Sequence, residues 1–295
     1  MFDQPIGSEL LELLPYAALY AETHYRFRFF PFSLYYRKQP EIIFDTPLRL
    51  EPGQDLPVFL IVKDSNLFPV TVKTISITVL SDKQKILKTV SINEKLNSPF
   101  WTTIVDIDVS ELPSGIMTID CSVEIVSNRK LILVRNDNHP GLSGKPFSVF
   151  KADDPLPMLP GWSAGELHCH TSFGTDQVEF GASLEFYQRA SEAMGLGWVA
   201  LTDHAYNMDD LPGNYLINDP EQVKWEMFLS EVDRANIDTP RIVLLPGEEL
   251  TCRSSTGRNI HLLMIGRRNF LVGTGDDAQN WIHTRSEHRV IDAIR

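Results

Sequence analysis

Between Met117 and Ile125 the chain alternates without interruption: Met117, Ile119, Cys121, Val123 and Ile125 are apolar, and Thr118, Asp120, Ser122 and Glu124 between them are polar. Side chains along a strand point to opposite faces in turn, so this stretch reads as a β-strand with one face buried and the other in water. A second stretch, Val70-Thr-Val-Lys-Thr-Ile-Ser-Ile-Thr-Val79, alternates with an apolar phase that is even up to Val72 and odd from Ile75. A slip of one residue is what a β-bulge produces, which predicts a bulge between those two positions. Val58-Phe-Leu-Ile-Val62 is apolar throughout, and Pro52-Gly53 and Pro113-Ser-Gly115 punctuate the strands. Short strands with turn signals between them predict an all-β sandwich of immunoglobulin-like type over residues 1–150. Its leading segment crowds Tyr25, Phe27, Phe29, Phe30, Phe32, Tyr35 and Tyr36, which are expected to pack on the sandwich or on the second half of the chain.

The character of the chain changes after a proline-rich, acidic linker over residues 151–161, Lys151-Ala-Asp-Asp-Pro-Leu-Pro-Met-Leu-Pro160 and its flank. From 162 to 295 strand-like and helix-like segments alternate. Glu166–His170, Trp198–Leu201, Ile242–Leu245 and Ile260–Ile265 read as strands of a parallel sheet. Leu184–Met194 reads as a helix with Leu184, Tyr187, Ala190 and Met194 on one face and Gly195 as its stop. A second helix is expected to open at Asp219-Pro220, with Gln222 completing a capping box and Val223, Met227, Phe228 and Val232 as its buried stripe. The order of elements predicts an α/β sheet or barrel.

Charge and composition narrow the functional classes. The 295 residues carry 27 basic and 39 acidic side chains, a net charge of −12. That balance argues against a nucleic-acid binder, which ordinarily presents a basic patch to the phosphates. Cys121, Cys169 and Cys252 are too few and too scattered for a disulfide framework, which points to a reducing compartment. No apolar run approaches the 18 or so residues of a membrane span, and no basic leader precedes the first apolar segment, so a cytoplasmic protein is expected.

Against that background the histidines stand out. Eight occur in the chain, and four of them sit within 94 residues at strand-linked positions. His168 and His170, in Gly165-Glu-Leu-His-Cys-His170, are two apart on one strand and share a face about 6.6–7 Å apart, within reach of a common ion, while Cys169 points away. Thr202-Asp203-His204, Pro246-Gly-Glu-Glu249 and His261 mark the next three strands. In α/β folds sites assemble at the carboxyl ends of the strands, and His261, at the start of its own strand, sits at the wrong end by that rule. Imidazoles and carboxylates without thiolate suit zinc, manganese or iron.

Glu166-Leu-His-Cys-His-Thr171 with Asp176, then Leu201-Thr-Asp-His204, Pro246-Gly-Glu-Glu249 and His261, resembles the first three motifs of the PHP (polymerase and histidinol phosphatase) superfamily. The resemblance covers residues 162–266. It implies a distorted (β/α)7 barrel, of which about the first four strands would lie in this chain, two or three divalent metals, and hydrolysis of phosphoesters. It makes His168 and His170 ligands of a first metal, Glu249 a bridging carboxylate, Asp176 and His204 ligands of a further ion, and His261 a ligand of the second. The Glu-Leu-His-Cys-His opening and the β-rich leader are similar to the branch that includes carbamate and aryl-ester hydrolases.

Two departures bear on that reading. Asp176 lies six residues after His170 where the family has five, and the family's later histidine and final Asp-x-His have no counterpart before Arg295. Four strands cannot close a barrel, so the chain is expected to be the N-terminal part of a longer protein. Asp137-Asn-His139-Pro140 has suitable letters but precedes the first motif, and His283 and His288 are expected to flank the helix Val290–Ile294, with substitution for the absent ligands as the alternative.

The expected activity is metal-dependent hydrolysis of a small-molecule phosphoester, with carbamate or carboxylic ester hydrolysis as the alternative. A proton for the leaving group is assigned to His204 or to a residue beyond Arg295, and Glu249 shares the catalytic centre. Arg253 and Arg258, between the last two ligand strands, are candidates to grip an anionic substrate. A reading of another class is a non-catalytic binding module whose metal site is structural.

Overall fold

A computed structural model describes residues 39–82, 84–138, 144–174, 180–211, 214–273, 286 and 288–294. The aromatic segment at the start of the chain, Asp176, His139 and His283 lie outside the described residues.

Among the described residues nine strands come first: β1 (Glu41–Asp45), β2 (Arg49–Leu50), β3 (Leu56–Lys63), β4 (Val70–Ser81), β5 (Gln84–Leu96), β6 (Phe100–Ile107), β7 (Gly115–Ser127), β8 (Lys130–Arg135) and β9 (Phe147–Lys151). They form a three-stranded sheet in the order β1-β3-β6 and a six-stranded sheet in the order β2-β9-β7-β4-β5, with β8 also paired to β7. The two sheets face each other across one apolar core. Ile42, Val58, Leu60 and Val62 come to it from the smaller sheet, and Ile75, Ile77, Met117, Ile119, Cys121 and Val123 from the larger. The alternation in β7 is therefore a sandwich strand with one wet face, as its sequence predicts. The bulge in β4 falls between Val72 and Thr74, where the pairing with both β5 and β7 shifts register.

The unbroken apolar run in β3 has a different cause. All eight of its residues are buried. Val58, Leu60 and Val62 face the sandwich core, whereas Phe59 and Ile61 face outward and pack against Phe186 of the second half. A strand covered on both faces has no reason to alternate.

The second half contains β10 (Gly165–Cys169), α1 (Leu184–Met194), β11 (Trp198–His204), α2 (Ala205–Met208), the hairpin β12 (Asp210–Leu211) and β13 (Asn214–Asn218), α3 (Val223–Asp238), β14 (Val243–Arg253), β15 (Asn259–Ile265), β16 (His288–Arg289) and α4 (Val290–Ile294). Its main sheet runs β10-β11-β14-β15, with β16 parallel to the end of β14. β10, β11 and β14 are parallel. On one face of the sheet Trp225, Phe228, Leu229 and Val232 of α3 pack with Leu184 of α1 onto Val199, Leu201 and Leu244.

Three sequence expectations are corrected here. β15 is antiparallel to β14 rather than parallel. Only five residues separate the two strands, and they close a tight turn in which Ser254 N–H donates to the Arg258 carbonyl and Gly257 adopts φ 79°. A parallel crossover needs a dozen or more residues, so the loop length forces the reversal. The described residues thus form a five-stranded mixed sheet, and the expected (β/α)7 arrangement is not seen among them. Next, α3 starts at Val223, not at Asp219. The Asp219 carboxylate accepts from the N–H groups of Glu221 and Val223 and caps a turn that leads into the helix. Its buried stripe is Trp225, Phe228, Leu229 and Val232, while Val223 and Met227 are exposed. Finally, α1 has the expected bounds and stops at Gly195 (φ 79°), but Phe186 is buried on a face the simple stripe leaves to water. It packs against Phe59 and Ile61 of the sandwich, with the Phe59 and Phe186 ring centroids 4.3 Å apart.

The linker is also fixed to the sandwich. Glu51 accepts from the Leu156 N–H with both carboxylate oxygens and from Arg49, while Arg49 donates to the Asp154 carbonyl. Glu51 N–H donates to the Ala193 carbonyl at the end of α1. Linker, sandwich edge and helix end therefore meet at one residue.

Candidate metal centre

The face of the sheet opposite α3 carries the histidines. Parallel pairing places His204 beside Glu249, and antiparallel pairing places His261 beside Thr251, two residues further along β14 on the same face. The reversal of β15 thereby resolves the misplacement of His261: the start of an antiparallel strand lies at the carboxyl end of its parallel neighbours. In β10 the register shifts between Glu166 and Cys169, so the strand bulges at Leu167–His168 and brings both of its histidines toward Glu249.

Glu249 is the hub. His168 Nε2 lies 3.4 Å, His170 Nε2 3.0 Å and His204 Nδ1 3.2 Å from its Oε2, and His261 Nδ1 contacts its Oε1. The rings meet edge to face, with centroids 5.0 Å apart for His168 and His170, 4.6 Å for His170 and His204, and 5.3 Å for His204 and His261. Two groups of three have donor atoms within 4.8 Å of one another: His168, His170 and Glu249, and His204, Glu249 and His261. Both share the one carboxylate. Side-chain exposure grades across the cluster, from 2% for His204 and 6% for Glu249 to 41% for His168 and 43% for His261. The floor is closed and the rim is open.

Burial alone would raise the Glu249 carboxyl. Hydrogen bonds from His170 and His261 and the charge of His204 and His261 outweigh it and hold the group below the usual carboxylate range. Nitrogen and oxygen donors converging in this way, with a carboxylate among them, are a set that could hold a metal ion. Cys169 is not part of the set. Its thiol is pushed up to about 12 by burial, and the side chain packs with the helix-side core.

Several residues that sequence reasoning did not single out hold these ligands in place. The Thr202 hydroxyl is 2.7 Å from His168 Nδ1, which leaves Nε2 for the Glu249 side. Asp203 is fully buried on the opposite face and accepts from the Thr171 N–H at 2.6 Å and the Thr171 hydroxyl at 2.7 Å. Burial raises its carboxyl above the ordinary value, with Thr171 and the neighbouring His170 and His204 pulling the other way. The Tyr187 hydroxyl donates to the His170 carbonyl. Gly181 comes so close that a Cβ there would sit 1.4 Å from the same carbonyl oxygen. Tyr206 stacks on His204, centroids 4.7 Å apart and planes 16° from parallel. Asp203 stands inside the stretch Thr202-Asp203-His204, and its strand parity, opposite to that of His204, was a signal that it supports rather than binds. Gly181 carried no comparable signal.

Arg253 is half-buried on the Glu249 face of β14, two residues beyond Thr251, and Arg258 is exposed in the hairpin turn. Neither belongs to the histidine cluster. His288 bonds the Val272 carbonyl through Nε2 at 2.7 Å, away from the cluster. Asp137 and Asn138 belong to the sandwich side, where Asn138 ties the Ile42 N–H and the Pro40 carbonyl.

No helix among the described residues is long and apolar enough to cross a membrane. No family model matches the chain, and no curated protein matches it. Among solved structures, the CARDB domain of the PF1109 protein from Pyrococcus furiosus, in complex with di-metal ions, is 10% identical, with 39% of this chain and 90% of that chain covered. Its TM-score of 0.22 is too low for the likeness to carry an argument about fold or site.

Proposed function

We propose that this protein is a metal-dependent hydrolase of the PHP type acting on a small phosphoester, and the observation that carries the reading is the sharing of Glu249 by two histidine groups. A carboxylate between two ligand sets is the arrangement that holds two divalent ions close together. When bound, such ions supply an acidified water as nucleophile and polarise the ester oxygens. The residues of the chain do the rest. His168 and His170 on one side and His204 and His261 on the other would hold the ions, and Glu249 would offset their charge. Thr202 and Asp203 keep the ligand strands in register. His204, almost fully buried and stacked on Tyr206, is better placed as a ligand than as a proton donor to a leaving group. Arg253, on the same face, is the residue positioned to meet an anionic substrate beyond His261.

The open rim favours catalysis over a structural ion. Structural sites are closed by their ligands, whereas His168 and His261 leave about two-fifths of their surface to solvent. The test is turnover by metal-loaded protein of bis(4-nitrophenyl) phosphate and 4-nitrophenyl phosphate, set against 4-nitrophenyl acetate and an aryl carbamate. Phosphoester turnover reduced at least ~100-fold in Glu249→Gln is expected. Turnover of the acetate or carbamate alone would move the assignment to carboxylic or carbamic esters, and no turnover of any of them by protein shown to hold metal would leave a structural site.

A further inference from the structure

Thr251 is the residue of this face that the cluster does not yet explain. It comes two positions after Glu249 on β14 and pairs directly with His261, so its side chain projects on the same side of the sheet as both. It is 2% exposed, and its Oγ1 is buried with no hydrogen-bond partner among the described residues. The strand around it is held firmly, since the Ser286 hydroxyl donates to the Thr251 carbonyl.

An unpaired buried hydroxyl is costly, because it has left water and found nothing in exchange. Valine has the same shape and the same preference for a strand, without the hydroxyl. Threonine at this position is therefore favourable only if the hydroxyl gains a partner beyond the described residues. The adjacent donor set defines its nature. His204, Glu249 and His261 supply three donors to a cation, and a cation with three protein ligands completes its shell with oxygen, as catalytic zinc does with a water.

We infer that Thr251 is a positioning residue for the His204–Glu249–His261 group, its hydroxyl hydrogen-bonding an oxygen ligand that occupies that group: a water in the resting protein, a substrate oxygen during turnover. The inference rests on the metal reading above and specifies which of the two donor groups carries the exchangeable ligand. His168, at the other group, has its own hydroxyl partner in Thr202, so there the second ring nitrogen is already satisfied within the protein. Thr202 orients a ligand ring, and Thr251 orients what the ligands hold.

The test compares Thr251→Val and Thr251→Ser with the wild type in two measurements on the full chain: the thermal midpoint of metal-free protein, and zinc binding by calorimetry. Thr251→Val is expected to raise the metal-free midpoint by about 2–4 °C, as relief of an unpaired group does. The same variant is expected to bind one of two zinc ions about 10-fold more weakly and the other unchanged. Thr251→Ser, which keeps the hydroxyl, is expected to bind both ions as the wild type does. A lower midpoint for Thr251→Val would show that the hydroxyl has a protein partner, and unchanged zinc binding would show that it touches no ligand; either overturns the inference. Failure of the wild type to bind zinc would overturn the metal reading and the positioning role together, and a raised midpoint would then record only an unpaired hydroxyl.

Discussion

Both halves of the molecule have an apolar core, and they differ in where they bury polar groups. The core between the two sheets of the sandwich is apolar from Ile42 to Val149, and Asn136 beside it accepts from the Cys121 N–H and donates to the Gly144 carbonyl and the Asp120 carboxylate. The mixed sheet buries Thr202, Asp203, His204, Glu248, Glu249 and Thr251 at its strand ends. Burying an apolar side chain contributes about 25 cal/mol per Å² removed from water, whereas burying a carboxylate or an imidazole costs free energy unless it is paired. The sandwich is thus optimised for stability, and the mixed sheet gives up stability for a convergent set of donors. Polar residues are tolerated there because each has a partner close by, Thr251 excepted, whose hydroxyl has none among the described residues.

The halves are also joined in a way that serves the second. Phe59 and Ile61 of the sandwich cover one side of α1, and the other side of α1 covers the mixed sheet. Tyr187 of the same helix reaches the His170 carbonyl. A rigid sandwich can in this manner steady a helix that steadies His170 of the cluster. Phe186→Ala, which removes a buried ring from the seam, is expected to do the most damage to this division of labour. It should cost about 3–5 kcal/mol. Denaturant unfolding followed by intrinsic fluorescence should then resolve two transitions in place of one, with the mixed sheet unfolding first. A single transition at the wild-type midpoint would show that the halves do not depend on each other.

Gly181→Ala probes the same dependence at smaller cost. Its Cβ would meet the His170 carbonyl oxygen at 1.4 Å, so the segment must move. Overpacking of this kind costs about 1–3 kcal/mol. The expected result is weakened metal binding at the His168–His170–Glu249 group, with the sandwich core left as it is, read by zinc calorimetry alongside circular dichroism of the β signal. Unchanged zinc binding would mean that Gly181 and Tyr187 have no part in holding that group.

How much of this was legible in the sequence depends on whether one strand or several had to be read. The wet face of β7, the bulge in β4 and the bounds of α1 arise from local pattern, because each is set by side chains within a few residues of one another. The reversal of β15 was hidden, because the sequence reading ends the preceding strand at Leu245 and leaves room for a crossover, whereas β14 runs on to Arg253 and leaves only a tight turn. Of the cluster residues, His168, His170, His204 and His261 stand out because histidine is rare here and recurs at strand ends, and Glu249 because it ends one of the same strands as the sequence reads them. The groups that orient them do not. Thr202, Tyr187 and Thr251 are ordinary residues for a strand or helix, and their roles arise from partners 17 to 34 residues away or from the lack of one among the described residues. The burial of Phe186 and the unbroken apolarity of β3 likewise depend on packing between halves, which no single segment encodes.

The proposed chemistry stands on Glu249 being common to two metal groups, and metal content reads this out without intermediaries. Plasma mass spectrometry on chelator-free protein should find two divalent transition-metal ions per chain in the wild type, one in His168→Ala/His170→Ala, and none held stoichiometrically in Glu249→Gln. Retention of the wild-type metal content by Glu249→Gln would contradict a shared carboxylate, because none would then be needed to hold the ions.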